Sequence, residues 1–113
     1  MVKQSGFVEY IIQEALGHIS GITARAMFGG YGLYKDGIIC GLIDDDKLYF
    51  KVDESNRKDY EEKGSGPFIY VHKGKEMKMG YWLVPEDVLE NRELAEMWLE
   101  KAVTASINAK KKK

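Results

Sequence analysis

The segment from Arg25 to Phe50 constrains the fold more than any other part of this chain. Its short apolar runs are separated by Asp36 and Gly37 and then by three aspartates at residues 44–46. Asp-Gly between apolar runs is typical of a tight β-hairpin turn, because glycine adopts the positive φ that such a turn needs. Aspartate side chains bond to their own backbone and favour a second turn. The segment therefore predicts three short antiparallel strands that follow one another in chain order.

The remainder of the chain predicts three helices and two more strands. Apolar residues recur at helical spacing in residues 6–16 and after Asn91, and they alternate in residues 76–84. Ser5 is the expected N-cap of the first helix, and Gly17 is expected to end this helix by adopting the left-handed backbone conformation. The order α-β-β-β-α-β-β-α predicts an α+β fold, a two-layer sandwich with a five-stranded antiparallel sheet. The other predicted segments are a connector at 19–26, a helix at 56–63, a strand at 68–71 and a short helical piece at 85–87.

Length and composition indicate one globular domain. A chain of 113 residues is long enough for a single core without disulfides. We expect the domain to span residues 1–106 and a lysine-rich tail to follow at 107–113. No apolar run is long enough to cross a membrane, and the N-terminus lacks a basic and then apolar signal pattern. The single cysteine, Cys40, cannot form a disulfide within the chain, so the expected location is the reducing cytoplasm.

No set of residues indicates a catalytic or metal site. Cys40, His18 and His72 lack the spacing of metal ligands, so neither a metal nor another cofactor is expected. A small thiol-dependent enzyme that uses Cys40 or His72 is one alternative. However, Cys40 lies in the apolar run at 38–42, where burial would raise its pKa instead of activating the thiol. We therefore predict that the chain is not an enzyme.

Residues around three glycines are candidates for a binding site. Gly29, Gly30 and Gly32 would cradle a phosphate if a helix followed them, but a strand is predicted there instead. The structural alternative is a bulge, or a flat backbone on which a neighbouring ring lies. Arg25 is either a contact for a partner or anion, or a surface arginine whose stem covers an aromatic ring. The predicted binding residues are Arg25, Phe28, Gly29, Gly30, Tyr31 and Trp82.

Trp82 belongs to this set because its strand is apolar on both faces from Tyr81 to Val84. Such a strand is buried on both sides or meets a partner. Trp82 is therefore either an interface residue or a core residue covered by the first or the last helix. Both possibilities remain open at this point.

Basic residues suggest nucleic-acid binding as an alternative function. Lys73, Lys75 and Lys78 cluster on a predicted hairpin, Arg25 is a further candidate contact, and four lysines end the chain at 110–113. Aromatic rings are available for stacking on bases. Against this, the formal net charge is −1, and the outer face of the last helix is acidic, which would repel a phosphate backbone.

The run Arg-Ala-Met-Phe-Gly-Gly-Tyr-Gly-Leu-Tyr at residues 25–34 resembles the N-terminal domain family of TfoX (Sxy), a bacterial competence regulator. The resemblance continues through residues 48–53, 66–68 and 79–85 into the terminal helix. It implies the same compact sandwich, a setting in transcriptional regulation through protein contacts, and no catalytic residue. The regulators of this kind carry a second, C-terminal domain, and this chain is expected to be a stand-alone single-domain member.

Together these observations predict a non-catalytic regulatory module that binds another protein. The expected partner is either a different protein or a second copy in a homodimer. Nucleic acid is the alternative partner, and no membrane association is expected.

Overall fold

The computed structural model describes residues 2–27 and 30–111, with side chains for residues 6–27, 30–69, 71, 73–76 and 80–110. The helical segments in these ranges are α1 (Val2–Tyr10), which continues into a π-helical turn (Ile11–Ala15), α2 (Arg57–Glu62), α3 (Glu86–Leu89) and α4 (Arg92–Lys111). The strands are β1 (Ile22–Met27), β2 (Gly30–Lys35), β3 (Ile38–Asp44), β4 (Lys47–Lys51), β5 (Pro67–His72) and β6 (Lys75–Leu83).

These strands form one antiparallel sheet in the order β1-β2-β3-β4-β6-β5. The α+β class and the antiparallel sheet are confirmed, whereas the predicted count of five strands is wrong. The additional strand is β1, which the sequence pattern assigned to a connector at residues 19–26. Its alternation is weak because alanines, Ala24 and Ala26, alternate with Thr23 and Arg25. The strand therefore depends on its backbone pairing with β2.

Two tight turns confirm the predicted hairpins. Asp36 and Gly37 have φ angles of 51° and 84°, the positive pair that a type I′ turn requires. Asp45 and Asp46 likewise have φ angles of 53° and 58°. Aspartate visits this left-handed region more readily than most residues, because its short side chain bonds to the local backbone. The order of β2, β3 and β4 along the chain is thus set by local sequence.

The first helix differs from its predicted form at both ends. It begins before Ser5, which therefore lies inside α1 instead of capping it. At the other end the chain passes through the π-helical turn, in which the Leu16 N–H donates to the Ile11 carbonyl at 2.8 Å. Gly17 does not adopt the predicted left-handed conformation. A Cβ at Gly17 would instead strike the carbonyl oxygen of Gln13, so close backbone contact explains the glycine.

The helices cover one face of the sheet, and the hydrophobic core lies between these two layers. Tyr60 of α2 sits at the centre, with its ring centroid 4.4 Å from that of Trp98 and 6.2 Å from that of Trp82. Buried core residues include Ile11 and Leu16 from the first helical segment, Leu33, Cys40, Ile43, Leu48 and Phe50 from the sheet, and Ala95, Trp98, Leu99 and Ala102 from α4.

A β-bulge in β3 ties α4 to the sheet. The register between β2 and β3 shifts after Leu33, which leaves Cys40 as the extra residue on β3. Beside the bulge, the carbonyl oxygen of Ile39 accepts a hydrogen bond from Ser106 Oγ at 2.6 Å. Because Ser106 is buried, this bond satisfies a polar group inside the core and fixes α4 against the sheet.

Helix α4 begins as predicted and continues into the segment predicted to be a tail. Asn91 caps it, since Asn91 Oδ1 accepts the N–H of Leu94 at 3.0 Å. The helix runs through Lys111, beyond residue 106, because no glycine or proline interrupts it. The last two lysines of the expected tail lie outside the described residues. Within the described part of the chain, no helix combines the length and apolar character needed to cross a membrane.

The buried amide of Asn56 closes the turn that precedes α2. Its Oδ1 accepts the N–H of Asp53 at 2.8 Å, and its Nδ2 donates to the Lys51 carbonyl at 3.1 Å. We expect Asn56→Ala to lower the free energy of unfolding by about 1–3 kcal/mol, because two backbone groups lose their partners. Urea denaturation measures the change, with the exposed Lys58→Ala as its control. A loss below about 0.5 kcal/mol would show that water replaces the amide.

Candidate protein-binding surface

The strand register divides the side chains of the sheet between two faces. Directly opposed residues in an antiparallel pair share a face, and neighbours along a strand alternate. Leu33, Ile43, Leu48 and Phe50 therefore lie on the face that the described helices cover. We call the other side the open face. Its members are Thr23, Arg25, Met27, Tyr34, Ile39, Leu42, Asp44, Lys47, Tyr49, Lys51, Phe68, Tyr81 and Leu83.

Apolar side chains pack against one another at the centre of the open face. Leu42 lies opposite Tyr49, and Tyr49 lies opposite Leu83 on the next strand. The Tyr49 ring also contacts Phe68, with centroids 4.8 Å apart and planes inclined by 52°. Leu42 is only 7% exposed although it does not belong to the core under the helices. The sheet therefore has a second apolar cluster on this side.

Two cations lie over tyrosine rings of the open face. The Arg25 guanidinium carbon is 5.3 Å from the ring centroid of Tyr34, and Lys51 Nζ is 5.1 Å from that of Tyr81. Both distances are in the range of cation–π contacts. Arg25 thus covers an aromatic ring with its guanidinium and not with the predicted aliphatic stem, and its role as a contact for a partner or anion stays a prediction. The contact also holds the guanidinium in place on the surface, where it remains exposed.

Burial disfavours the ionised form of two tyrosines of this face, Tyr49 and Tyr81. Burial raises the pKa of Tyr81 above its ordinary value of 10.0. Burial also raises the pKa of Tyr49, and the nearby carboxylates of Asp44 and Asp45 add to the effect. Each phenol therefore carries a hydroxyl that donates and accepts hydrogen bonds at neutral pH.

Gly30 and Gly32 lie inside β2 and serve the packing of the sheet. A Cβ at Gly30 would strike the carbonyl oxygen of Ile43 on the neighbouring strand. A Cβ at Gly32 would lie 2.5 Å from the Met27 sulfur and 3.2 Å from a Tyr34 ring carbon. No helix follows these glycines, so the arrangement that binds phosphate at a helix N-terminus is not formed here. At Gly30 and Gly32 close packing takes the place of the predicted bulge or ring contact, and a role of these glycines in binding stays a prediction.

The other predicted binding residues are dispersed. Tyr31 and Trp82 lie on the helix-covered face, where both are half-buried against the core, and Trp82 packs on Tyr60 of α2. The possibility that Trp82 forms an interface stays a prediction. Phe28 and Gly29 lie outside the described residues.

Two of the predicted nucleic-acid contacts, Lys73 and Lys75, lie together, whereas Arg25 lies far from them. Lys73 and Lys75 are exposed at the β5–β6 turn, on one edge of the sheet, and the side chain of Lys78 lies outside the described set. Arg25 is on β1 at the opposite edge. Five strand spacings separate the two edges, which amounts to about 24 Å. A nucleic acid would have to cross the whole sheet to reach both.

The thiol of Cys40 is inaccessible. Cys40 has no exposed surface, and its Sγ donates to the Leu33 carbonyl at 3.6 Å. Burial raises the pKa of Cys40 from 9.0 to about 12, and the opposing effect of Lys35 is smaller. A thiol in this state is a poor nucleophile. The side chain of His72 lies outside the described residues, and among those described no histidine, cysteine, aspartate and glutamate side chains group as metal ligands.

Sequence reasoning missed Tyr34, Tyr49, Lys51 and Phe68 as members of one surface. A signal was present in residues 47–51, where Leu48 and Phe50 alternate with Tyr49 and Lys51. Alternation predicts that the two sets point to opposite faces. It does not predict which face the helices cover.

Comparison with known protein families supports the resemblance noted above. The sequence model of the TfoX N-terminal domain matches residues 14–106. A comparison with curated proteins finds no match.

Proposed function

The chain belongs to the TfoX N-terminal domain family, and we propose that it is a regulatory domain that acts by binding another protein through its open face. The expected partner presents apolar side chains flanked by carboxylates. Family membership supports the further assignment to transcriptional regulation in bacterial competence, and the single cysteine supports the assignment to the cytoplasm. The buried thiol of Cys40, with its raised pKa, supports a non-catalytic role.

The observation that carries this proposal is the apolar cluster on the uncovered side of the sheet. Tyrosine, phenylalanine and arginine are enriched at protein–protein contacts, where they supply large contact areas. The open face combines these residue types around Leu42 and Tyr49. A contiguous apolar patch on a soluble domain is typical of an interaction site.

Charge on the open face indicates what the partner carries. Arg25 and Lys51 lie over its tyrosines, and Lys47 follows on the same side of β4. Asp44, opposite Lys47, and Asp45 of the following turn are acids beside this face in the described part of the chain, so the three cations outnumber them. Complementary potentials favour binding and suppress wrong partners. A partner surface that carries carboxylates beside apolar groups would complement the open face.

The same face is less suited to nucleic acid. Bases stack on aromatic rings whose faces are free. Here Arg25 and Lys51 already cover the rings of Tyr34 and Tyr81, and the Tyr49 ring packs on Phe68. We therefore favour a protein partner, and nucleic-acid binding is an outcome that the tests below would reveal.

We expect Tyr49→Ala and Lys51→Glu each to weaken partner binding about tenfold or more, since each removes a contact at the centre of the face. A photo-crosslinking phenylalanine analogue at Tyr49 would first trap the partner in cells, for identification by mass spectrometry. Titration of the purified partner then gives the affinities. Lys58→Glu on α2 is the control, because Lys58 is exposed on the helical side. Equal weakening by Lys58→Glu, or none by the two open-face variants, would contradict the proposal.

Titration of labelled single-stranded and duplex DNA at low and near-physiological salt tests the alternative. Phosphate-driven binding weakens steeply as salt rises. We expect no specific binding from the open face. Salt-sensitive binding that Lys51→Glu abolishes would show that the open face binds nucleic acid and not a protein. Binding that is lost only when residues 110–113 are removed would be due to the lysine tail and would be consistent with a protein partner on the open face.

A further inference from the structure

We propose that the β5 edge of the sheet pairs with the β5 edge of a second copy of this chain, so that the two sheets continue into one across a two-fold axis. In such an interface the same surface serves both partners. Strand β5 is the last strand on its side of the sheet, so one of its edges is not paired within the described chain. The inference does not rest on the open-face proposal.

The first observation is that β5 exposes aliphatic side chains. Ile69 is 43% exposed and Val71 is 60% exposed. The strand also contains no lysine, arginine, aspartate or glutamate from Pro67 to His72. Exposed edge strands are usually protected by charges, prolines, bulges or a covering element. Pro67 and the register shift that follows it protect only the beginning of β5.

The other free edges of the sheet do carry such charges. Strand β1 at the opposite edge contains Arg25. Strand β4 pairs with β6 only from Tyr81 to Leu83 among the described residues, so the first part of β6 is also an edge. That part contains Lys75, Glu76 and Lys78. The absence of charge thus distinguishes the β5 edge from the edges that the chain protects.

The backbone of β5 offers a matched set of donors and acceptors. Lys73 and Gly74 have φ angles of 52° and 80°, so a two-residue type I′ turn joins β5 to β6. The residues that close such a turn, His72 and Lys75, form a bonded pair, and bonded and non-bonded pairs then alternate along the ladder. The N–H and C=O groups of Ile69 and Val71 therefore point away from β6.

One register uses all of these groups. With Tyr70 on the two-fold axis, Ile69 of each copy lies opposite Val71 of the other, and their outward N–H and C=O groups bond reciprocally. The exposed aliphatic side chains then meet across the new pair. A register with Ile69 on the two-fold axis would place Val71 opposite Pro67, which has no N–H to donate. Antiparallel pairing also sends the two Lys73 turns in opposite directions, which separates their charges.

Sedimentation velocity of the full chain over micromolar to millimolar concentrations tests the proposal. We expect a concentration-dependent dimer, and we expect Val71→Lys to raise its dissociation constant at least about tenfold. Val71 is exposed, so the variant should fold, and circular dichroism checks this. Thr23→Lys, at an exposed position of β1, is the matched control and should leave the dimer unchanged. A chain that stays monomeric, or a dimer that Val71→Lys leaves unchanged, would overturn the proposal.

Disulfide trapping tests the register independently of stability. A non-bonded antiparallel pair places its Cα atoms about 4.5 Å apart, which a disulfide can span. Tyr70→Cys should therefore oxidise to a linked dimer, whereas Val71→Cys, opposite Ile69 of the second copy, should not. The buried Cys40 does not compete for oxidation. Equal linking by Thr23→Cys, or no linking by Tyr70→Cys, would exclude β5 pairing in this register.

Discussion

Replacing Trp98 by alanine is expected to lower the free energy of unfolding by about 3–5 kcal/mol. Trp98 is 5% exposed on α4, and its ring lies 4.4 Å from that of Tyr60 with the planes inclined by 57°. Its removal leaves a cavity between α4 and α2 that the surrounding side chains fill only in part. The lost contact with Tyr60 adds about 0.5–1.5 kcal/mol beyond the buried area. Urea denaturation measures the difference.

Two variants make this measurement interpretable. Met97→Ala changes the neighbouring residue, which is exposed on the same helix, and should cost little. Tyr60→Phe removes a buried hydroxyl that has no hydrogen-bond partner among the described residues. We expect this second change to be neutral or stabilising by up to about 1 kcal/mol, because an unpaired polar group is no longer desolvated. A loss below about 1 kcal/mol for Trp98→Ala would contradict the packing described above.

Raising the pH from 8 to 11 is expected to lower the free energy of unfolding by about 4 kcal/mol through two buried groups, Cys40 and Tyr60. Burial raises the pKa of Cys40 from 9.0 to about 12. Burial, with smaller effects from Asp59 and Cys40, also raises the pKa of Tyr60 far above its ordinary value of 10.0. Both groups stay neutral in the native state at a pH at which the unfolded chain ionises.

The direction of this effect follows from proton binding. Below pH 9 both groups are protonated in the native and unfolded states, so neither contributes a pH dependence. Above pH 9 the unfolded state releases the Cys40 proton, and above pH 10 it releases that of Tyr60. Each pH unit then costs about 1.4 kcal/mol per group. The stabilising contribution of these two neutral groups is therefore fully present at neutral pH and is lost as the pH rises.

Urea denaturation at several pH values between 7 and 11 measures this loss. Cys40→Ala should remove the decline between pH 9 and 10, and Tyr60→Phe should reduce the decline above pH 10. Any pH-independent cost of either substitution does not affect the slope. An unchanged alkaline slope in Cys40→Ala would show that the thiol ionises in the folded protein.

Turn chemistry made much of the sheet predictable from the sequence. The Asp36–Gly37 turn and the acidic turn at Asp45 need particular backbone angles, and the residues there are the ones that adopt those angles. Asn91 likewise predicts the start of α4, because its side chain accepts a hydrogen bond from the first helical turn. Where a local interaction determines the backbone, sequence reasoning predicts the element.

The rest depends on contacts between distant residues. Strand β1 has weak alternation and forms through pairing with β2, so the sequence of Ile22–Met27 alone does not specify it. The end of the first helix depends on how Gly17 meets the carbonyl of Gln13. The position of the open face depends on which side of the sheet the helices occupy. Tyr81 and Trp82 are adjacent aromatic residues, and their faces are distinguished by the pairing of Trp82 with Phe50 and its packing on Tyr60.

The bulge lets β3 hold one residue more than β2 without changing which side chains face the core. Cys40 and Gly41 both point towards the core, while Ile39 and Leu42 on either side of them keep their places on the open face. Elsewhere in a strand, a shift of one residue moves the side chains to the opposite face. We therefore expect deletion of Cys40 to preserve both faces of the sheet, although it would remove the bulge beside which the Ile39 carbonyl bonds to Ser106. An insertion or deletion at another position of β3 would instead exchange inner and outer side chains, so the bulge is the point of this strand at which a change of length is tolerated best.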